Sequence, residues 1–207
     1  MTGLWVIVAI VVVLLLAFIA SYNRFVRQRN LVQESWRQVD VELKRRHDLI
    51  PNLVETVRGY ATQERTVLQS VTDARAAAMQ TLQASNQGVA AQAQAETQLG
   101  RALGNLFAVA ENYPDLKSSQ NFLALQQQLA ETEDRIAAGR RFYNNNVRAL
   151  NTRVEAFPSS IVAGMFGFTK ADYFEVDDPA ERAPVNVDFS SLGTAAAQPP
   201  QTGQQPG

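Results

Sequence analysis

Leu4 to Ala20 is an unbroken apolar run, LWVIVAIVVVLLLAFIA. A helix built from it has no polar stripe to turn toward water, so it does not read as a core helix of a soluble fold. At 1.5 Å per residue it spans about 26 Å. Gly3, Ser21 and Tyr22 bring it close to the roughly 30 Å hydrocarbon core of a bilayer. Trp5 and Tyr22 stand at its two ends, where amphipathic rings favour the headgroup level. A cleavable signal peptide would carry a basic stretch first and small residues at −3 and −1. No Lys or Arg precedes this run, and Phe18 and Ala20 fit those two positions poorly. Residues 1–22 are therefore read as an uncleaved transmembrane anchor.

Charge sets the expected orientation. Arg24, Arg27 and Arg29 follow the span, while only the terminal amine precedes it. The positive-inside rule then puts the N-terminus outside and the rest of the chain in the cytoplasm. The same three arginines are candidate contacts for anionic lipid headgroups, with topology and solvation as the plainer reading.

Beyond the anchor, alternating spacings of three and four residues predict long helices. Val32, Trp36, Val39, Leu43, Arg46 and Ile50 share one side, and no Gly or Pro lies between Leu4 and Ile50. The anchor helix should thus run on into the first helix of the soluble part. Asp40–Lys44 and Glu42–Arg46 are acid-first pairs at i,i+4 on its solvated side. Pro51 predicts a kink or break near His47–Ile50. A second helix is expected from Leu53 to about Ala84, and a third over Val89–Asn112. A fourth should start at Ser118 or Ser119 and carry Phe122, Leu125, Leu129, Ile136, Tyr143, Val147, Leu150, Val154 and Phe157 on one face, with Glu131–Arg135 as a further acid-first pair.

Ile161 to Phe168 reads as a short hook on the end of the bundle, with membrane contact as its functional alternative. The small residues between Ala74 and Ala95 predict close helix approach, a loose end of the bundle or an oligomer contact. The expected fold is all-α: a transmembrane helix continuing into an antiparallel bundle of about four long helices. The bundle takes residues 23–175, and the Pro/Gly/Gln-rich residues 176–207 read as a disordered tail.

Chemistry is sparse. There is no cysteine, and His47 is the single histidine, so thiolate catalysis and paired-histidine metal motifs are excluded. His47 lies among Lys44, Arg45, Arg46 and Asp48 without the strand context of a triad, and reads as a solvated or capping residue. Glu131, Glu133 and Asp134 read as a solvated face. A net charge of −1 provides no basic field for nucleic acid. No cofactor motif is present.

Several blocks together are specific. Tyr22-Asn23, Val39-Asp40-Val41, Leu43 through Val54 (LKRRHDLIPNLV), Gly59-Tyr60-Ala61 and Val71-Thr72-Asp73-Ala74-Arg75 form the first half. Glu133-Asp134-Arg135-Ile136, Arg140 through Asn144, Asn151-Thr152-Arg153, Phe157-Pro158-Ser159 and Ile161 through Phe168 form the second. In these blocks the chain resembles the LemA family, from the anchor to about Phe174. His47 departs from an expected tyrosine, and Gln63-Glu64 stands where His-Glu is usual. The resemblance implies a single-pass bacterial membrane protein with an antiparallel helical domain, N-out and C-in, and no assigned activity. Relatives on magnetosome membranes extend it to organising membrane.

The expectation is a non-enzymatic scaffold in the lipid bilayer that forms homo-oligomers or recruits another membrane protein. The rival is a ligand-binding regulator or enzyme with a polar site between helices, drawing on Arg46, Asp48, Asn52, Asn144 and Asn151.

Overall fold

A computed structural model describes residues 1–84 and 88–176; the tail expected from residue 176 onward lies outside them, apart from its first residue. The described residues form six helices and no strand. Four are long: α1 (Thr2–Tyr60), α2 (Arg65–Gln83), α3 (Val89–Ala110) and α5 (Gln120–Glu155). Two are short, α4 (Pro114–Lys117) and α6 (Ser159–Phe166).

The first helix does not break at Pro51. It continues to Tyr60, and the chain turns only at residues 61–64. Proline withholds the N–H that would bond the carbonyl four residues back, here that of His47. The Arg75 side chain on α2 fills the gap, its Nε donating to the His47 carbonyl at 2.7 Å. A carbonyl that the ring leaves orphaned is thus satisfied from a neighbouring helix, which removes the main reason for a break. Arg75→Ala is expected to cost about 1–2 kcal/mol. In a Pro51→Ala background, where the backbone bond is restored, the same change should cost less than about 0.5 kcal/mol. Equal costs in both backgrounds, read by chemical denaturation, would show that the arginine does not serve this carbonyl.

The later turn also resets the register of the second seam. Tyr60 is exposed, and Ala61 and Leu68 are buried in its place. The alanines at 78 and 93 are both buried, and α2 packs on α3 as a hairpin. Close approach across this stretch is made within the chain.

Helix lengths decide where the core sits. The part of α1 beyond the anchor and all of α5 are each about 55 Å long, against about 28–33 Å for α2 and α3. The hairpin therefore covers mainly the half of the α1–α5 pair far from the anchor. There Ile50, Leu53, Val57, Val71, Leu99, Leu106 and Phe122 form a four-helix core closed by Leu116 of α4. In the other half, α1 and α5 lie antiparallel against each other. Gly139 lets them approach closely, since a Cβ there would meet Val39 Cγ2 at 3.2 Å. Phe25, Val39, Leu43, Ile136, Tyr143, Val147 and Leu150 form this second core.

Ala93, Leu82 and Val89 of the hairpin cover its edge, and the chain after α5, the α6 hook and the extended segment 168–176, covers the rest. Phe168 stacks on Phe25 with ring centroids 4.8 Å apart. Phe174 is fully buried, edge-on to Trp36 at 5.3 Å. Phe166 lies against Phe18 and Tyr22 at 5.8 and 4.8 Å. The expected hook is present, and it docks at the end of the bundle next to the anchor. Phe157 is a correction: α5 ends at Glu155, so Phe157 falls beyond the seam and is 83% exposed.

Candidate functional site

The buried side of α1 is apolar except at Ser35, Arg46 and His47, and Arg46 carries its fixed charge. The seam of α3, read as Gln92, Glu96, Leu99, Leu103, Leu106 and Ala110, carries an acid at the matching place. Helix packing brings the two together where the two cores meet. The Arg46 guanidinium bonds Glu96 through Nη2 and Glu133 through Nη1, the latter at 2.7 Å. His47 Nε2 lies 3.0 Å from Glu96 Oε1, and Gln92 Nε2 donates to the same oxygen at 2.5 Å. Arg46, His47, Gln92 and Glu96 are all buried.

Burial alone would raise the Glu96 carboxyl, but the His47 hydrogen bond and the Arg46 charge outweigh it and hold the group below its ordinary value. For Arg46, burial alone would lower the pKa. The charges of Glu133 and Glu96 outweigh that too and leave it raised.

His47 is thus a buried partner of Glu96, not a solvated or capping residue. Arg46 has turned from Glu42 to α3 and α5, while Glu42 faces Arg135 at 3.8 Å. That contact replaces the expected Glu131–Arg135 pair. The Asp40–Lys44 pair forms as expected, at 2.6 Å. His47 and Glu96 are both ligand types for metals, yet among the described residues no group of three such side chains gathers. The guanidinium of Arg46 takes the third side.

The five residues of the proposed polar site do not come together. Arg46 belongs to the buried cluster, whereas Asp48 and Asn52 are exposed on α1. Asn144 and Asn151 instead hold the extended segment from α5. Asn144 donates to the Phe174 carbonyl at 3.2 Å and accepts from its N–H at 2.9 Å. Asn151 does the same with Ala171, at 3.0 and 2.9 Å. Seven residues is two helical turns, which aligns both amides along one face. Each side chain thereby satisfies two backbone groups of a segment that has no sheet to do so. Between them the Tyr143 hydroxyl donates to the Asp172 carbonyl at 2.8 Å. Burial, then the Asp172 charge, pushes this phenol up to about 12.

The third feature is the end beside the anchor. Arg24, Arg27 and Arg29 are exposed there, and Arg29 lies over the Phe168 ring at 5.6 Å. The antiparallel pairing brings Arg148 and Arg153 of α5 to the same end, with Arg153 over the Phe25 ring at 5.9 Å. No acid precedes Glu34 in the sequence. Glu155, the acid nearest this group on α5, is paired with Lys170. The apolar part of α1 next to this collar is long and apolar enough to cross a membrane by length and composition, and none of its most apolar window is buried.

Residues 35–189 match the family model of the LemA family. The chain belongs to the LemA family. Magnetosome protein MamQ 2 of Paramagnetospirillum magneticum is 28% identical to it over a 204-residue alignment covering 86% of this chain and 75% of the relative. Magnetosome protein MamQ of Magnetospirillum gryphiswaldense is 27% identical, with 86% and 74% covered. Protein LemA of Metamycoplasma hominis is 26% identical, with 84% and 77% covered. The fold and these relatives make this LemA-family chain a membrane-associated helical protein.

Sequence reasoning overlooked Glu96, Arg75 and Arg153. Glu96 was readable as a charge at a seam position, opposite in sign to the one at Arg46. Arg75 and Arg153 carry no such mark, because only the packing shows what they reach.

Proposed function

We propose that this protein is a single-pass scaffold of the bacterial cytoplasmic membrane, with the N-terminus outside and the bundle in the cytoplasm. It works without catalysis, as a stiff post on which copies of itself or other membrane proteins assemble. The observation that carries this reading is α1, one helix from the apolar segment to the far end of the bundle. A bundle continuous with its anchor stands at a set height and angle, which suits a scaffold better than a freely moving enzyme. The orientation is supported by Arg24, Arg27 and Arg29, the cations that directly follow the span. Leu31, Val41, Leu123 and Phe142 are large apolar side chains left exposed along the bundle, where a partner helix would cover them. The magnetosome names of the relatives fit a role in organising membrane.

The absence of native cysteine makes introduced thiols unique. Phe142→Cys in cells should give crosslinked dimers or adducts with membrane proteins. A strictly monomeric protein in lipid nanodiscs, together with no adduct in cells, would overturn the scaffold. For orientation, Thr2→Cys should react with an impermeant maleimide in spheroplasts, and Glu131→Cys only after lysis. The reverse pattern would overturn it.

A further inference from the structure

Where α6 folds back on α1, a cleft of about 760 Å³ opens between the anchor, the end of α5 and α6. That lies within the roughly 300–1,000 Å³ common for ligand sites. Its lower wall is Leu14 and Phe18 from the apolar run, with Ile161 of α6 opposite, and its upper rim holds Arg24 and Arg153. Leu14 to Arg24 is ten residues, about 15 Å along the helix, comparable to half of a roughly 30 Å hydrocarbon core. The cleft thus runs from acyl-chain depth to headgroup depth.

We infer that this cleft binds one anionic phospholipid, an acyl chain lying along Leu14 and Phe18 and the phosphate between Arg24 and Arg153. Three observations point to that occupant over others. The floor is the membrane segment itself, so the site opens on lipid. Among the described residues neither rim arginine has a carboxylate partner, and the Nε of Arg153 is buried with no hydrogen-bond partner. The Ser159 hydroxyl at the cleft is committed to the Arg153 and Ala156 carbonyls, which leaves the anion to the guanidinium groups. The second wall is lipid-compatible too: residues 157–169 contain no charge, and Phe157, Ile161 and Met165 are exposed beside the anchor. Zwitterionic lipid would bring an ammonium to the same cationic rim, so net negative lipid is preferred.

The inference rests on the membrane placement proposed above and not on the scaffold role. It is tested on the full-length chain by native mass spectrometry, with phosphatidylglycerol, phosphatidylcholine or inorganic phosphate added. One retained phosphatidylglycerol per chain is expected, preferred over phosphatidylcholine and not displaced by phosphate. The preference should fall about fivefold in Arg24→Gln or Arg153→Gln, and about 25-fold in the double variant. Ala149→Trp keeps both arginines but fills the cleft, and it should also lose the lipid. Arg37→Gln, farther from the membrane, should not. Equal retention of the two lipids would overturn the site while leaving the scaffold standing. So would unchanged retention in the double variant and Ala149→Trp, or displacement by inorganic phosphate.

Discussion

Glu96→Ala is expected to lower the unfolding free energy by about 3 kcal/mol, or roughly 6–12 °C in melting temperature for a domain of this size. Removing the carboxylate leaves the buried Arg46 with Glu133 alone and strips His47 and Gln92 of their shared acceptor. Glu133→Ala should cost only about 1 kcal/mol, because its side chain is 47% exposed and water replaces much of what it gives. Replacing both charges, Arg46→Met with Glu96→Leu, should cost less than Glu96→Ala, because no buried charge is left unpaired. About 1–2 kcal/mol should remain, since His47 and Gln92 still lose their acceptor. A Glu96→Ala variant as stable as the parent would refute the cluster's role.

The same cluster sets an acid limit. Glu96 is held below its ordinary 4.5, so its contribution is complete above that pH and is lost as pH falls through the lower folded value. The parent should lose stability more steeply than the Met/Leu double variant below about pH 4.5. Parallel acid limbs in the two proteins would contradict the assignment.

Phe174→Ala should cost about 3–5 kcal/mol, as for large buried aromatics elsewhere. The side chain is fully buried although it sits on an extended segment, in the core beside the anchor-side halves of α1 and α5. Its loss opens a cavity beside Trp36 and weakens the hold of the segment. Asn144→Ala and Asn151→Ala should each cost about 1–3 kcal/mol, because each leaves a backbone N–H and a carbonyl unpaired. In hydrogen exchange the amides of Ala171 and Phe174 should lose protection first. Unchanged stability in Phe174→Ala would mean that the segment is an appendage and not part of the core.

Much of this fold was legible because helix seams repeat. Leu43, Ile50, Leu129 and Val147 are read from spacing alone and are all buried. The errors share one cause, which is that local rules do not know the neighbours. Pro51 is a helix breaker until Arg75 supplies the missing donor. His47 looks solvated among its charged neighbours until α3 sets Glu96 against it. Asn144 and Asn151 look like ligand-site amides until the chain after α5 folds back and uses them. Phe157 keeps the seam's spacing but not its place, since the helix stops two residues earlier. A charge at a seam position was the one trace of the cluster that the sequence held, and it was visible on both helices.

The apolar segment and the first helix of the bundle are a single helix, α1. Ile19 and Glu55 are 36 residues apart, ten turns and about 54 Å along an unbroken helix, with both side chains on the same face. Spin labels on Ile19→Cys and Glu55→Cys in lipid nanodiscs would measure that distance by double electron–electron resonance. A narrow distribution centred near 54 Å is predicted. A broad distribution, or one centred below about 45 Å on that geometry, would mean that the helix bends or breaks between the membrane and the bundle.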